Sequence, residues 1–217
     1  MEEKRKAMIF AVLTMMVVAI SGIGFYYWYN STYYVTTEDA RVTGDLVKVS
    51  PQVSGKLLVF NVEEGDTVFE DQILGRQEMG SLSDSNIEQT LIRAPITGLV
   101  IKKQANIREM VSSGQALAML IDPEKLYISA NIEETKLNRV KPGHIVDITV
   151  DQFAGIKFTG KVTSVGLASN STFSLLPTST SGTFTKVVQR IPVKIELDRY
   201  DTLLLPGTNA VVKIHVK

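Results

Sequence analysis

The sequence predicts a mainly β protein behind one N-terminal transmembrane helix, and three observations carry that prediction. A long apolar run without charge lies near the N-terminus, a segment starting at residue 50 is repeated from residue 94, and most of the remainder alternates apolar and polar residues with period two.

No charged residue occurs from Ala7 to Thr37, and Met8 to Phe25 is nearly all apolar. At about 1.5 Å rise per residue, roughly 20 such residues cross the hydrocarbon core of a bilayer. The preceding MEEKRK places the N-terminus in the cytoplasm and the body outside it, by the positive-inside bias. Tyr26, Tyr27, Trp28 and Tyr29 then mark the membrane interface, where aromatic rings keep their bodies in lipid and their polar edges wet. The competing reading is a cleaved signal peptide, with Ala19-Ile20-Ser21 as its small-x-small site. Signal peptide apolar regions run about 7–15 residues, shorter than this one. Gly22 and Gly24 are too close together for a GxxxG dimer face.

The repeat comprises SPQVSGKLLVFNVEEGDTVFEDQIL (50–74) and APITGLVIKKQANIREMVSSGQALAML (94–120). In each copy a Pro precedes a Gly (Pro51 and Gly55, Pro95 and Gly98), a strand-like apolar run follows, and a polar turn leads to a closing apolar pair. One copy is too small to bury its own apolar face, so the two copies must pack on each other.

Further along, Leu126, Ile128, Ala130 and Ile132 share one strand face, and Val146, Ile148 and Val150 share another. The same alternation recurs at Ile191, Val193, Ile195 and Leu197, and at Ala210, Val212, Ile214 and Val216. Each is a half-buried strand with one face on a core and one in water. The first strand is expected over Thr36–Val49, and a short helix over 133–140, stopped by Pro142-Gly143. Residues 169–186 are rich in Ser and Thr with Phe173, Leu175, Leu176 and Phe184 embedded. They read either as a surface loop or as a contact with a neighbouring subunit or transporter.

Composition excludes several functions. Lys plus Arg and Asp plus Glu both number 23, and no basic block lies beyond residue 6, so the electrostatic footprint of a nucleic-acid binder is missing. The absence of cysteine removes disulfides, thiolate metal sites and a cysteine nucleophile. His144 and His215 are far apart in sequence and read as solvated or hydrogen-bonded. Glu63/Glu64 and Glu133/Glu134 read as turn and surface charges, because neighbours in a strand point to opposite faces. No motif for acyl transfer, zinc or nucleotide binding appears. A non-enzymatic protein is expected, with no catalytic, metal or cofactor-binding residues. Asn30-Ser31-Thr32 and Asn170-Ser171-Thr172 match the glycosylation pattern, which matters only in a eukaryotic secretory pathway.

The repeat resembles the two halves of a lipoyl or biotinyl domain, a flattened sandwich of interlocking four-stranded units. Carrier domains hold a modified Lys at the tip joining the halves. The joining residues here, 79–90 (MGSLSDSNIEQT), contain none. With an anchor in front and a barrel behind, the chain resembles membrane fusion (periplasmic adaptor) proteins of the HlyD/EmrA type. TTEDARVTGDLVKVSPQVSGKL (36–57), LIRAPITGLV (91–100) and FSLLPTSTSGTFTKVVQRIPVKIEL (173–197) carry that resemblance. Family members in two-membrane bacteria insert a long helical hairpin between the lipoyl halves to reach an outer-membrane channel. The connection here is too short for two long helices, so that contact is not expected. This fits an adaptor of a one-membrane bacterium, or a chain from which the hairpin was removed.

The resemblance implies a cytoplasmic tail and transmembrane helix at 1–30 and a lipoyl (barrel-sandwich hybrid) domain at 45–122, with halves 45–78 and 91–122. A β-barrel domain follows at 123–188, and 31–44 pairs with 189–217 in a membrane-proximal β module. It also implies a homo-oligomer on a major facilitator (EmrB-like) transporter of the inner or plasma membrane, serving multidrug efflux or export without a cofactor. Candidate assembly contacts are Phe173, Leu175, Leu176, Phe184, Gln189 and Arg190. The rival readings are a stand-alone envelope or ligand-binding module and, less well supported, a lipoyl or biotinyl carrier.

Overall fold

The structure, a computed structural model, describes residues 2–78, 87–173, 188–198 and 202–217. The chain begins with helix α1 (Glu2–Tyr33), of which Val12–Tyr33 is long and apolar enough to cross a membrane. The helix runs three residues past the expected end at 30 and passes directly into a strand. The body divides into two compact units, one of residues 42–127 with 201–208, the other of 1–41, 128–200 and 209–217.

The first unit holds β2 (Leu46–Val49), β3 (Gly55–Phe60), β4 (Thr67–Val68), β5 (Ile73–Glu78), β6 (Leu91–Arg93), β7 (Gly98–Lys103), β8 (Met110–Val111) and β9 (Ala118–Ile121). A single helical turn, α2 (Ile87–Thr90), precedes β6. The strands form two four-stranded sheets, ordered β2-β9-β7-β4 and β6-β5-β3-β8. Each repeat lends its short strand to the other: β4 pairs with β7, and β8 pairs with β3. Val49, Leu57, Phe60, Val68, Leu74, Ile92, Val100 and Leu117 fill the space between the sheets. Neither repeat completes a sheet alone, which is the interlocking inferred from their small size.

The two halves match bond for bond. Gly65 N–H donates to Val100 O and Arg108 N–H to Leu57 O, at 2.8 and 2.7 Å. Phe69 N–H donates to Gln72 Oε1, and Ser112 N–H to Gln115 Oε1. Backbone with positive φ falls at equivalent places, Gly65 (97°) with Arg108 (75°) and Asp71 (63°) with Gly114 (78°). Glycine occupies only one member of each pair, so the turn geometry is dictated by the interlocked strands and not by residue choice alone. The two repeat glycines at the strand starts are sterically required. A Cβ on Gly55 would lie 2.4 Å from Glu78 O, and one on Gly98 2.5 Å from Ile121 O.

The second unit is a closed barrel of β1 (Tyr34–Thr43), β10 (Tyr127–Glu133), β11 (Ile145–Val150), β12 (Lys157–Val165), β13 (Arg190–Leu197) and β14 (Asn209–His215), in the order β1-β10-β13-β12-β11-β14. Ile128, Ile132, Val146, Ile148, Val193, Ile195, Val212 and Ile214 are buried, as the alternation predicted, and Val35 and Val162 join them from strands whose faces the alternation did not mark. Three expectations are corrected by the structure. The stretch Thr36–Val49 is two strands, β1 in the barrel and β2 in the sandwich, broken at Gly44-Asp45. Residues 31–44 and 189–217 do not form a module apart from 123–188. β1, β13 and β14 hydrogen-bond into the same barrel as β10–β12, because closure removes the exposed edges that two smaller sheets would leave. The helix expected at 133–140 is one turn, α3 (Glu134–Leu137), since Glu133 remains in β10.

Gly55→Ala and Gly98→Ala are each expected to lower the sandwich's unfolding free energy by about 1–3 kcal/mol, with closely similar losses in urea titration. Gly24→Ala, with open space around it, leaves stability unchanged. A large difference between the two repeat glycines would refute their equivalence.

Candidate functional site

Polar side chains from three barrel strands converge at an irregularity in β1. Against β14, Thr37 pairs with Val212 but Ala40 with Ala210, so β1 carries one extra residue. Such a bulge bends a strand and redirects the side chain beside it. Thr37 Oγ1 donates to Asn131 O at 3.0 Å and accepts from Asp39 N–H at 3.1 Å, which locks the bulge. The Asp39 carboxylate accepts from Asn131 Nδ2 at Oδ1 (3.0 Å) and from the Arg190 guanidinium at Oδ2. Partial burial pushes the Asp39 carboxyl up, but the Asn131 and Arg190 hydrogen bonds, with the charges of Arg190 and Arg41, outweigh it. The group is held below the usual carboxylate range.

An open cleft of about 830 Å³ lies over this node, lined by residues 36–41 with Glu133, Asp151, Arg190 and Asn209–Val211. Of its charged side chains, Asp39, Arg190 and Glu133 are engaged in ion pairs. Glu133 forms an ion pair with Lys136 at 2.8 Å, and that hydrogen bond lowers its pKa. A carboxylate held ionised by a guanidinium and an amide is a poor proton acceptor. The cluster therefore acts as a brace that ties β1, β10 and β13 together, and offers no nucleophile-base pair.

One of the sequence-predicted residues, Arg190, belongs to this brace, and another, Gln189, precedes it in the chain. Arg190 begins β13 and carries the Asp39 contact, while Gln189 just before it accepts from Ser171 Oγ at its side chain and from Glu134 N–H (2.9 Å) at its carbonyl. Ser171 belongs to a 3₁₀ turn, Asn170–Phe173, so the Ser171–Gln189 bond joins the two ends of the intervening chain. Leu175, Leu176 and Phe184 lie outside the described residues, and of Phe173 only the backbone is described. Tyr26, Tyr27, Trp28 and Tyr29 are all exposed on the last turns of α1. Tyr29 stacks on Tyr33 with centroids 4.5 Å apart.

Sequence reasoning did not single out Asp39 or Asn131. The signal for the bulge was a switch of parity, because buried Val35 and buried Ala40 are an odd number of residues apart on one strand face. Glu63 and Glu64 do not diverge as strand neighbours would. Both sit in a turn and converge on Lys103, Glu63 through Nζ (2.8 Å) and Glu64 through the backbone N–H (3.0 Å). His215 Nε2 lies 2.8 Å from Asp147 Oδ2, and His144 Nδ1 accepts from Lys141 N–H at 3.4 Å. Among the described residues, no group of three His, Asp or Glu side chains is placed to hold a metal ion.

An interlocked sandwich whose sequence lies between the first and second strands of a six-stranded barrel, after an apolar helix, is the architecture of a membrane fusion adaptor. Residues 45–122 match the family described as YhbJ, barrel-sandwich hybrid domain, and residues 125–215 the AAEA-like beta-barrel domain. The chain is 37% identical over 202 residues to the "Putative efflux system component YhbJ" of Bacillus subtilis, covering 92% of this chain and 88% of that protein. To the "Multidrug export protein EmrA" of Haemophilus influenzae it is 35% identical over 136 residues, 60% of this chain but only 35% of that longer protein. In fold it is similar to the solved periplasmic adaptor protein EmrA, with a TM-score of 0.57 at 17% identity over 84% of this chain and 98% of that one. The chain belongs to the HlyD/EmrA-type membrane fusion protein family, as a short form without a long α-helical hairpin between its lipoyl halves.

Asp39→Asn should destabilise the barrel by about 1 kcal/mol, in the range of partly exposed ion pairs. Because the folded carboxyl titrates lower than the unfolded one, its stabilisation is present above the ordinary carboxylate range. It is lost as pH falls through that range towards the depressed folded value. The Tm gap between wild type and Asp39→Asn is therefore expected to close on acidification. A gap independent of pH from neutral to strongly acidic conditions would remove the ion pair from the explanation.

Proposed function

We propose that this chain is the membrane-anchored adaptor of a multidrug efflux or export system, working with a major facilitator transporter in the same membrane. The observation that carries this reading is the 37% identity extending across 88% of the protein named "Putative efflux system component YhbJ". It covers both folded units and not a shared sandwich alone. In this reading α1 crosses the membrane with its N-terminus in the cytoplasm, as the flanking basic residues favour. Tyr26, Tyr27, Trp28 and Tyr29 mark the far interface, and the body stands outside the cell membrane.

The role is mechanical and non-enzymatic. Copies of the chain assemble around the transporter, sandwich and barrel modules stack laterally, and substrate is guided away from the bilayer. The segment from Phe173 to Arg190 is the proposed assembly element. Its roots are pinned through Ser171–Gln189 and Asp39–Arg190, which leaves the span between them to meet a neighbour. An outer-membrane channel has no part in this reading, because residues 79–90 are too few for a long helical hairpin.

The test is a crosslinked pull-down of the intact chain from membranes, with co-purifying polytopic proteins identified by mass spectrometry. A major facilitator transporter at near-stoichiometric yield, together with raised susceptibility to amphiphilic toxicants on deletion, is the expected result. Self-association without a transporter, and unchanged susceptibility, would instead favour a stand-alone envelope-binding module.

A further inference from the structure

The end of α1 meets the barrel through a set of contacts that no efflux role requires. β1 starts at Tyr34, immediately after the last helical residue. The chain's final segment returns to the same place, where Val216 N–H donates to Tyr33 O at 3.0 Å. Three cations gather on this junction. Arg139 Nη2 donates to Thr32 O at 2.6 Å, one of the last helical carbonyls and otherwise without an intrahelical partner. Lys213 Nζ sits 3.8 Å over the Tyr34 ring, and Lys217 Nζ 5.6 Å from the centre of the Tyr33 ring.

None of the three forms an ion pair with a carboxylate among the described residues. Asp147 is the cross-strand neighbour of Lys213, but its Oδ2 is occupied by His215 Nε2 at 2.8 Å. His215 in turn presents its ring edge-on to Tyr34, with centroids 5.0 Å apart. The result is a positive, aromatic-backed collar around the helix exit. Its depth is set by the helix: Tyr33 lies five residues beyond Trp28, about 7.5 Å further along the axis at 1.5 Å per residue. With Tyr26–Tyr29 at the hydrocarbon boundary, the cations fall at the level of the lipid phosphates.

We infer that Lys213 and Lys217, with Arg139 at the helix terminus, form a binding collar for the headgroup phosphates of anionic phospholipids in the membrane that α1 crosses. The ring faces of Tyr33 and Tyr34 hold the two ammonium groups in place, and Arg139 uses one of its five donors on Thr32, so that its charge and its other donors are available to phosphate. Lipid contact at the collar fixes how the barrel is seated above the bilayer. This inference rests on the membrane anchoring in the proposed function, but not on the transporter.

The full chain reconstituted into phosphatidylcholine vesicles, with or without phosphatidylglycerol, tests it by hydrogen exchange of backbone amides at 137–144 and 211–217. Alkaline carbonate extraction on the same samples tests anchoring separately. Phosphatidylglycerol should slow exchange in both segments at least about fivefold, the factor one basic residue near an anionic surface contributes. Molar salt should erase the effect, and K213Q/K217Q should lose most of it at unchanged Tm. The salt response of the wild-type chain decides the matter even if the double variant folds poorly. Equal exchange in both vesicle types, or protection insensitive to salt, overturns the collar while leaving the anchor intact. Release of the chain by carbonate overturns both.

Discussion

Everything in the barrel depends on one long-range pairing, that of the strand leaving the membrane helix with the last strand of the chain. The register Tyr34↔His215 through Arg41↔Asn209 joins residues from opposite ends of the sequence and closes the sheet. Without it β1 and β14 would be open edges, with unpaired backbone groups inviting other chains. The entropic cost of closing so long a loop grows only slowly with length, and the intervening residues fold on themselves and shorten it further. Closure also brings the C-terminal segment back to the helix exit, which is why Val216 bonds to Tyr33 and the terminal lysines gather there.

The sandwich answers a different constraint, the inability of one short repeat to bury its own face. Exchanging β4 and β8 between halves gives each sheet four strands and one shared core. The exchange then imposes the same turns on both halves, even where residues differ. Arg108 stands where Gly65 does, and Asp71 where Gly114 does, each with positive φ. A non-glycine residue there is strained by roughly 1–2 kcal/mol, and the interlocking outweighs that strain. Gly55 and Gly98 are not interchangeable in this way, because a backbone oxygen occupies the space of their missing Cβ.

The brace at Asp39 links the fold to the proposed assembly segment. A bulge displaces β1, Asn131 and Arg190 capture the carboxylate it presents, and Arg190 opens the strand that follows the proposed assembly segment. Ser171 and Gln189 close the other root. The two ends that flank the segment, at Ser171 and at Gln189–Arg190, are thus tied to the barrel by contacts that are themselves purely structural.

Much of the fold was legible in the residues. The apolar run determined the helix, since only length and hydropathy set whether a segment can span a bilayer, and the repeat determined the interlocked sandwich. The strict alternation of Ile128, Ala130 and Ile132, or of Val212 and Ile214, determined which faces are buried. Partnership between strands was legible only in part: the pairing of the first strand with the C-terminal strands was expected and is present, but their union with 123–188 was not. Alternation tells a strand which face to bury but not which edge to join, so β1, β13 and β14 read as a separate module although they complete the same barrel as β10–β12. The Asp39–Asn131–Arg190 brace and the cations at the helix exit likewise belong to the tertiary structure alone. In the first case Asp39 lies 92 residues from Asn131 and 151 from Arg190, and only the barrel's non-local strand pairing brings such distant polar groups within a hydrogen bond of one another.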